Sequence, residues 1–224
     1  FSLKIFNMKF ENKLISGLLV KRYKRFFVDV KIRNKIITAH CPNTGSMYGL
    51  LKAGNKVWLT KSNEPKRKLK YTLQIIEDNK KKVGINTQLT NKIVLEAIRN
   101  KLIPEFENIT NVKQEVKFGY NTRFDFFLSN NKHKYFLEIK NVTLSRKKSI
   151  AEFPDAITSR GAKHISELLK AKKNNYKIYI LFVIQREDCT KFKIANDIDQ
   201  IYSNLLSKAI KKGLKILCYD CKFL

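Results

Sequence analysis

The chain has 224 residues, of which 46 are lysine or arginine and 19 are aspartate or glutamate, so the formal net charge is +27. Hydrophobic residues make up 43% of the total, which excludes a wholly disordered chain and suffices for one large domain or two smaller ones. The charge favours a polyanionic partner, because cations near phosphates release counterions. An AT-rich genome also enriches lysine and asparagine, so the charge supports a nucleic-acid role without establishing it.

Sequence features that would indicate a membrane or secreted protein are missing. No apolar run approaches the roughly 20 residues of a membrane helix, and the first ten residues hold no continuous apolar segment. The four cysteines are too few and too scattered for a disulfide framework. We therefore expect a cytoplasmic protein with no membrane partner and leave its oligomeric state open between monomer and homodimer.

Residues 13–87 carry short β-strand patterns separated by turn signals. The predicted strands are Leu14–Arg22, Arg25–Ile32, Ile36–His40, Lys56–Thr60, Tyr71–Glu77 and Val83–Asn86. Such a run without a strong helix predicts a small β-barrel such as an OB-fold, assigned to residues 1–87. Within it, the segment from Asn43 to Ser46 is either a tight turn or a backbone nest for an anion.

Cations stand beside aromatic residues on this predicted barrel, a combination with which OB-folds bind single strands. The candidate nucleic-acid-binding residues here are Arg22, Lys24, Arg25, Lys66, Arg67 and Lys68. The alternative interpretation is a solvated basic face.

Residues 88–224 change to a pattern in which helices alternate with strands. The predicted elements are helix Asn91–Leu102, strands Gln114–Phe118, Thr122–Leu128 and Tyr135–Ile139, helix Asp155–Lys172, strand Lys177–Gln185, helix Asp199–Lys212 and strand Leu214–Asp220. This order predicts a mixed α/β domain with a mixed central sheet, whose last two strands form a β-α-β unit.

The segment from Thr122 to Asn141 reads as a hairpin folded about a polar turn at residues 129–133. Symmetrical folding sets Phe124 opposite Ile139, Phe126 opposite Leu137 and Leu128 opposite Tyr135 on one face, all apolar. The other face then sets Phe127 opposite Phe136, Asp125 opposite Glu138 and Arg123 opposite Lys140.

Facing carboxylates at Asp125 and Glu138 repel one another, more strongly where they are partly buried. A divalent cation, Mg²⁺ or Mn²⁺, would relieve the repulsion, and Lys140 on the same face could orient water or stabilise charge on a phosphorane. Alternatively, the diagonal ion pairs Asp125–Lys140 and Arg123–Glu138 would form a structural network without metal.

The spacing D-x₁₂-E-x-K, with a helix on each side, resembles the core of the PD-(D/E)xK nucleases. Longer strings resemble the sugar fermentation stimulation protein A family over nearly the whole chain. They are Leu18-Leu19-Val20-Lys21-Arg22-Tyr23-Lys24-Arg25-Phe26, His40-Cys41-Pro42-Asn43-Thr44-Gly45-Ser46-Met47, Glu64-Pro65-Lys66-Arg67-Lys68-Leu69, Glu138-Ile139-Lys140-Asn141-Val142-Thr143-Leu144 and Phe153-Pro154-Asp155-Ala156-Ile157-Thr158-Ser159-Arg160-Gly161-Ala162-Lys163-His164.

The resemblance implies an OB-like first domain, a restriction-endonuclease-like second domain, DNA binding and a link to the regulation of sugar catabolism. It implies catalytic roles for Asp125, Glu138 and Lys140, with metal on the two acids. Nucleases of this kind often take a further acid from the first helix, for which Glu96 is the candidate and Glu105, Glu107 and Glu115 are alternatives. The chain departs from the family at Asn121-Thr122, where Ser or Arg commonly precedes the Arg-x-Asp step, and in its more polar turn at residues 129–134.

Arg160, Lys163, His164 and Glu167 form a polar stripe on the second predicted helix. They are either a solvated face or, as the resemblance implies, a wall of the site with Lys163 or Arg160 on phosphate. Arg123 of the hairpin is a further candidate nucleic-acid-binding residue. Asp155 is expected as a helix cap, or else near the metal.

The sequence is compatible with three functions. The first is a metal-dependent nuclease acting on DNA or, less favoured, RNA. The second is a non-catalytic DNA-binding regulator that keeps the nuclease fold. The third is a translation-associated RNA-binding protein, for which the paired acids give no reason.

Overall fold

A computed structural model describes residues 4–8, 10 and 12–223. The first half consists of strands: β1 (Lys4–Met8), β2 (Ile15–Tyr23), β3 (Phe27–Ile32), β4 (Lys35–His40), β5 (Lys56–Lys61), β6 (Tyr71–Asp78) and β7 (Lys81–Gly84). Helices and strands then alternate: α1 (Thr87–Arg99), a 3₁₀ helix (Pro104–Phe106), β8 (Asn111–Phe118), β9 (Thr122–Ser129), β10 (Lys134–Val142), β11 (Leu144–Lys147), β12 (Ile150–Phe153), α2 (Ser159–Lys173), β13 (Lys177–Ile184), β14 (Lys191–Ile194), α3 (Gln200–Lys211) and β15 (Lys215–Phe223).

Strands β2 to β7 form an OB-like barrel, which confirms the predicted first fold. They are ordered β4-β3-β2-β5-β6-β7, and an extra pairing of β4 with β6, between His40 and Thr72, closes the sheet. Alternate side chains fill the interior because successive residues of a strand point to opposite faces. The buried barrel core comprises Leu19, Val28, Val30, Ala39, Cys41, Met47, Leu50, Val57, Leu59, Leu73, Ile76, Val83 and Ile85.

The second unit is built on a mixed six-stranded sheet, as predicted, ordered β1-β15-β13-β10-β9-β8. Strands β1, β15, β13 and β10 are parallel, whereas β10, β9 and β8 are antiparallel. Strand β1 lies at the edge of this sheet, so the predicted barrel domain of residues 1–87 is wrong at its start. The short segment Lys4–Met8 pairs with β15 at the other end of the chain, and no local pattern shows that partner.

Helices cover both faces of this sheet. On one face, α1 buries Val94, Ala97 and Ile98 against the sheet. On the other, α2 and α3 pack through residues such as Ile165 and Tyr202. Strand β13 lies between the two layers, and its buried apolar run is typical of a central parallel strand.

Helix boundaries differ from the sequence prediction where caps and turns decide them. Helix α1 begins earlier because Asn86 caps it, accepting a hydrogen bond from the Gln88 amide. Helix α2 begins later, capped by Thr158 rather than Asp155. Ile157 therefore lies outside the helix and is 80% exposed.

Strands β11, β12 and β14 were not predicted and form a small separate sheet, with β12 in the middle. Arg146 on β11 donates to the buried carboxylate of Glu152 on β12 and to Asp197. No described helix is long and apolar enough to cross a membrane.

Candidate active site

The β9–β10 hairpin forms in the predicted register. Ser129 pairs with Lys134, Leu128 with Tyr135, Phe127 with Phe136 and Phe126 with Leu137. The apolar alternation favours this register, since a slip of one residue would move each of these side chains to the opposite face of the sheet.

Regular pairing of β9 with β10 ends at Phe126, next to Asp125. The side chains of β9 on the two sides of Asp125 lie on opposite faces of the sheet. Phe126 packs in the core under α1, whereas Phe124 packs under α2, with its ring 4.8 Å from that of Phe136. The predicted pairing of Phe124 with Ile139 is therefore wrong. The neighbouring strand β8 is irregular at the same level, where Glu115 has a left-handed backbone (φ 52°) and its pairing with Asp125 is skipped.

This irregularity directs the Asp125 carboxylate toward the neighbouring strand and α1. The backbone amide of Ile139 donates to Asp125 Oδ2 at 2.7 Å. The side-chain amide of Asn91, on α1, donates to Asp125 Oδ1 at 2.9 Å. The carboxylate is thus held from two sides and keeps further lone pairs for a ligand.

Glu138 lies in the middle of β10, and only 3% of the residue is exposed. Lys140 Nζ is 2.7 Å from Glu138 Oε1, which also contacts His164 Nδ1 on α2. The second oxygen, Oε2, is buried and has no hydrogen-bond partner among the described residues. A buried carboxylate oxygen without a partner is costly unless something else satisfies it.

The two carboxylates have opposite pKa shifts. Burial, followed by repulsion from Glu138, raises the pKa of Asp125 to about 6. Burial also tends to raise the pKa of Glu138, but the charge of Lys140 and the hydrogen bond with His164 outweigh it and lower that pKa. The site therefore holds one firmly ionised acid and one that its surroundings disfavour as an anion.

The diagonal ion pairs that would form a purely structural network are not made. Lys140 pairs with Glu138 on its own strand, and Arg123 lies 3.8 Å from Glu115. One cation therefore serves the two acids, and the repulsion between Asp125 and Glu138 persists.

Asp125 and Glu138 are electrostatically coupled carboxylates, the donor type that a hard divalent cation takes. Mg²⁺ is commonly held by one or two carboxylates, with water and substrate phosphate completing its shell. Glu138 Oε2, which has no hydrogen-bond partner among the described residues, would supply an oxygen for it. Within the described part of the chain, no group of three or more His, Cys, Asp or Glu residues is arranged to hold a metal, so the site offers two protein carboxylates.

The structure does not bring a third acid from α1 to this pair. Glu96 is exposed, and the helix instead presents Asn91 to Asp125. Of the alternatives, Glu105 and Glu107 are exposed beside the 3₁₀ helix, and Glu115 pairs with Arg123 on the far side of β9.

Buried polar side chains fix the first turns of α1 against β10. Thr90 donates to Asn141, the residue after Lys140, at 3.1 Å. Gln185, at the end of β13, donates to both Thr90 and Asn141. This network holds the end of β10 rigidly beside the helix that positions Asp125.

A cleft of about 600 Å³ adjoins the acids through His164. His164 lines the cleft and contacts Glu138, so it connects the two. The cleft is lined by Lys117, Tyr120, Asn121, Thr122, Arg123, Ser159, Arg160, Lys163 and His164. The predicted wall residues of the second domain are thus brought together.

Two protein-family models together match most of the chain. Residues 88–224 match the family model described as "Sugar fermentation stimulation protein RE domain", and residues 20–85 match the "SfsA N-terminal OB domain". The chain belongs to the sugar fermentation stimulation protein family.

Family relatives align over almost the whole chain. The sugar fermentation stimulation protein homolog of Pelagibacter ubique is 53% identical, covering 96% of this chain and 93% of the relative. The homolog of Maricaulis maris is 42% identical, covering 96% and 92%. The structure of Pyrococcus furiosus SfsA in complex with Ca²⁺ is similar at a TM-score of 0.86 and 28% identity, covering 94% of this chain and 89% of that one.

In this family member, Arg22 of the barrel braces a loop instead of offering its charge to solvent. Its guanidinium donates to the carbonyls of Asn43 at 2.7 Å and Gly45 at 3.0 Å. The same loop does not form a free anion nest, because the Ser46 amide already donates to Asp155 Oδ2 at 2.9 Å. Asp155 thus joins the barrel to the segment before α2 and does not cap the helix.

The other predicted barrel cations remain on the surface of this family member. Lys24 and Arg25 are exposed in the β2–β3 turn, and Lys66 and Lys68 are exposed between β5 and β6. Arg67 donates to Thr72 at 2.6 Å.

The sequence pattern alone did not predict that Asn91 contacts Asp125 or that Lys117 and Tyr120 line the cleft. The position of Asn91 one turn before Val94 on the buried side of α1 was a usable signal. Lys117 lies near the end of β8 and Tyr120 lies in the β8–β9 turn, and their place in the cleft follows from tertiary packing against α2.

Proposed function

We propose that this chain is a metal-dependent phosphodiesterase that cleaves DNA. The observation that carries the proposal is Glu138 Oε2, a buried carboxylate oxygen without a partner among the described residues, beside a second, partly buried carboxylate, Asp125. A fold with no use for a cation would more simply replace one of these acids. The Ca²⁺ in the complex of Pyrococcus furiosus SfsA supports a divalent cation in this family.

Asp125 and Glu138 would hold Mg²⁺ or Mn²⁺, which supplies Lewis-acid activation of a phosphate oxygen and of water. Asn91 and the Ile139 amide fix Asp125, while His164 fixes Glu138. These partners orient the two carboxylates before substrate arrives.

Lys140 would stabilise negative charge as the phosphate becomes five-coordinate. Its ammonium group lies 2.7 Å from Glu138, and its side chain is 11% exposed. A charge in such a partly desolvated position acts more strongly than one in water. Arg123, Arg160 and Lys163 in the adjoining cleft would bind neighbouring phosphates.

The test is cleavage of labelled DNA by the purified protein with Mg²⁺, Mn²⁺ or EDTA. We expect metal-dependent cleavage that Asp125→Asn and Lys140→Ala each reduce by at least about 100-fold, the usual cost of losing an electrostatic catalytic group. Cleavage that survives in both variants would contradict the assignment of the site.

A non-catalytic DNA-binding regulator is the second candidate. It is favoured by Asn91, because an amide stands where an acid on the first helix would provide a third metal ligand. This candidate predicts salt-dependent DNA binding without cleavage by the wild-type protein under any of the metal conditions. No residue of the site explains how sugar use would depend on the protein.

A further inference from the structure

Tyr120 projects fully into solvent at the mouth of the basic cleft. Its exposure is 105% of the reference value, the highest among the exposed large hydrophobic residues of the described chain. It stands in the β8–β9 turn directly after Gly119, whose left-handed backbone (φ 62°) reverses the chain. Both faces of the ring are therefore open to a ligand.

The lining of the cleft beside Tyr120 is strongly cationic. Lys117, Arg123, Arg160 and Lys163 are among its nine residues, and no carboxylate is. The nearest acids, Glu115 beside Arg123 and Glu167 beside Gly119, lie outside the lining. A positive cleft of this composition is complementary to a polyphosphate chain. A lone exposed tyrosine needs no explanation, but one set among four cations gives both a stacking face and phosphate contacts.

The turn that carries Tyr120 is held in place. Lys163 Nζ donates to the Asn121 carbonyl at 3.0 Å, which fastens the turn to α2. His164 lines the same cleft and contacts Glu138. A strand bound beside Tyr120 and α2 would therefore lie one side chain away from Glu138.

We propose that Tyr120 forms a base-stacking subsite and that the cleft binds single-stranded DNA. In a duplex the faces of the bases are covered by their neighbours and uncovering one costs unstacking, so a projecting tyrosine stacks most readily on a base of a flexible single strand. The phosphates on either side of the stacked base are bound by Arg123 and Arg160. The link to hydrolysis rests on the proposed function, and it makes the substrate a DNA segment with unpaired nucleotides.

The test is a binding cycle that combines Tyr120→Ala with removal of a base. Fluorescence anisotropy is measured on the full chain in EDTA with a short labelled single strand and with abasic versions, the abasic site being moved along the strand. We expect Tyr120→Ala to weaken binding of the intact strand about 5- to 100-fold, the range given by base–aromatic stacking. At one abasic position the variant should bind no more weakly than the wild type, because the base that stacks is already missing.

Two controls separate stacking from misfolding and from charge. Tyr120→Phe keeps the ring and should bind within about twofold of the wild type, since stacking needs only the aromatic face. Lys173→Ala removes an exposed cation at the other end of α2, away from the cleft, and should change affinity much less than Arg160→Ala.

Several results would overturn this subsite. One is equal loss of affinity in Tyr120→Ala for the intact strand and for every abasic strand. Another is equally tight duplex binding with the same dependence on Tyr120, and a third is tighter binding of the matching RNA. Cleavage of the intact strand is assayed separately with Mg²⁺. Base-dependent binding without cleavage refutes the nuclease proposal alone, and cleavage without base-dependent binding refutes the subsite alone.

Discussion

Lys140 Nζ and Glu138 Oε1 lie 2.7 Å apart on the same face of β10, and Glu138 Oε2 is buried without a hydrogen-bond partner among the described residues. The ammonium group therefore neutralises Glu138 but bonds to only one of its two oxygens. Asp125 forms no ion pair within the described chain, and burial and repulsion from Glu138 raise its pKa although the charge of Lys140 opposes them. The charge of the two carboxylates is incompletely neutralised, and a bound divalent cation would neutralise it.

Asp125→Asn is expected to stabilise the metal-free protein. A carboxyl whose pKa rises from about 3.9 when unfolded to about 6 when folded costs stability at pH values above both, by at most about 3 kcal/mol. The amide cannot accept from both Ile139 and Asn91 as the carboxylate does, so we expect a gain of about 1 kcal/mol in the free energy of unfolding. Urea denaturation in EDTA measures it.

Asp188→Asn is the matched control for that experiment. Asp188 is partly buried too, but its hydrogen bonds with Arg186 lower its pKa, so its loss should destabilise the fold. Destabilisation by both substitutions would mean that Asp125 is a structural acid.

His164→Ala is expected to weaken binding of Mn²⁺ by about 10- to 100-fold, the usual effect of losing a partner that orients a metal-binding carboxylate. His164→Asn keeps a side-chain N–H close to the position of Nδ1 and should restore most of the affinity. Isothermal titration calorimetry on both variants measures the difference. Equal affinities for the wild type and His164→Ala would show that His164 does not position Glu138.

Removing Arg160 and Lys163 together is expected to lower the salt dependence of DNA binding. Each phosphate contact on a single strand contributes about 0.7 to the slope of log K against log salt, so the double variant should lose roughly 1.4. The slope is measured by anisotropy over a series of KCl concentrations. An unchanged slope would show that Arg160 and Lys163 do not contact the phosphates.

Acid should weaken the small sheet of β11, β12 and β14 through Glu152. Hydrogen bonds from Arg146 hold the pKa of Glu152 at about 2, below its unfolded value of about 4.3. The stabilisation is present above about pH 4.3 and is lost as the pH falls through about 2. Glu152→Gln should therefore be destabilised relative to the wild type near pH 7, and the difference should shrink toward pH 2.

Thermal denaturation across that pH range checks the Glu152 prediction. Exposed Glu64, replaced by Gln, is the control and should leave stability unchanged at each pH. A difference between wild type and Glu152→Gln that stays constant with pH would assign the effect to packing.

Much of the fold follows from local patterns. The alternation of Phe126 and Leu128 against Leu137 and Tyr135 determines the hairpin register, because the buried face permits only one pairing. The change of face at Phe124 could not be predicted, since it coincides with an irregular backbone at Glu115 on another strand, which the hairpin pattern does not reveal.

Residue roles that depend on distant partners were the least predictable. Arg22 looks like a DNA-binding residue in sequence, yet three carbonyls of a distant loop use its guanidinium. The Asp125, Glu138 and Lys140 constellation was accessible because its members share one hairpin. Asn91 and the cleft residues come from other elements that only tertiary packing brings near.

The most direct test of the metal site is anomalous diffraction from a crystal soaked in Mn²⁺. We expect one strong peak within about 2.0–2.4 Å of a carboxylate oxygen of Asp125 and of Glu138 Oε2, typical distances for oxygen ligands of such cations. The same soak of Asp125→Asn should lose the peak. A wild-type crystal with no peak between these two residues, from protein that cleaves DNA with Mn²⁺ in solution, would contradict a metal site at Asp125 and Glu138.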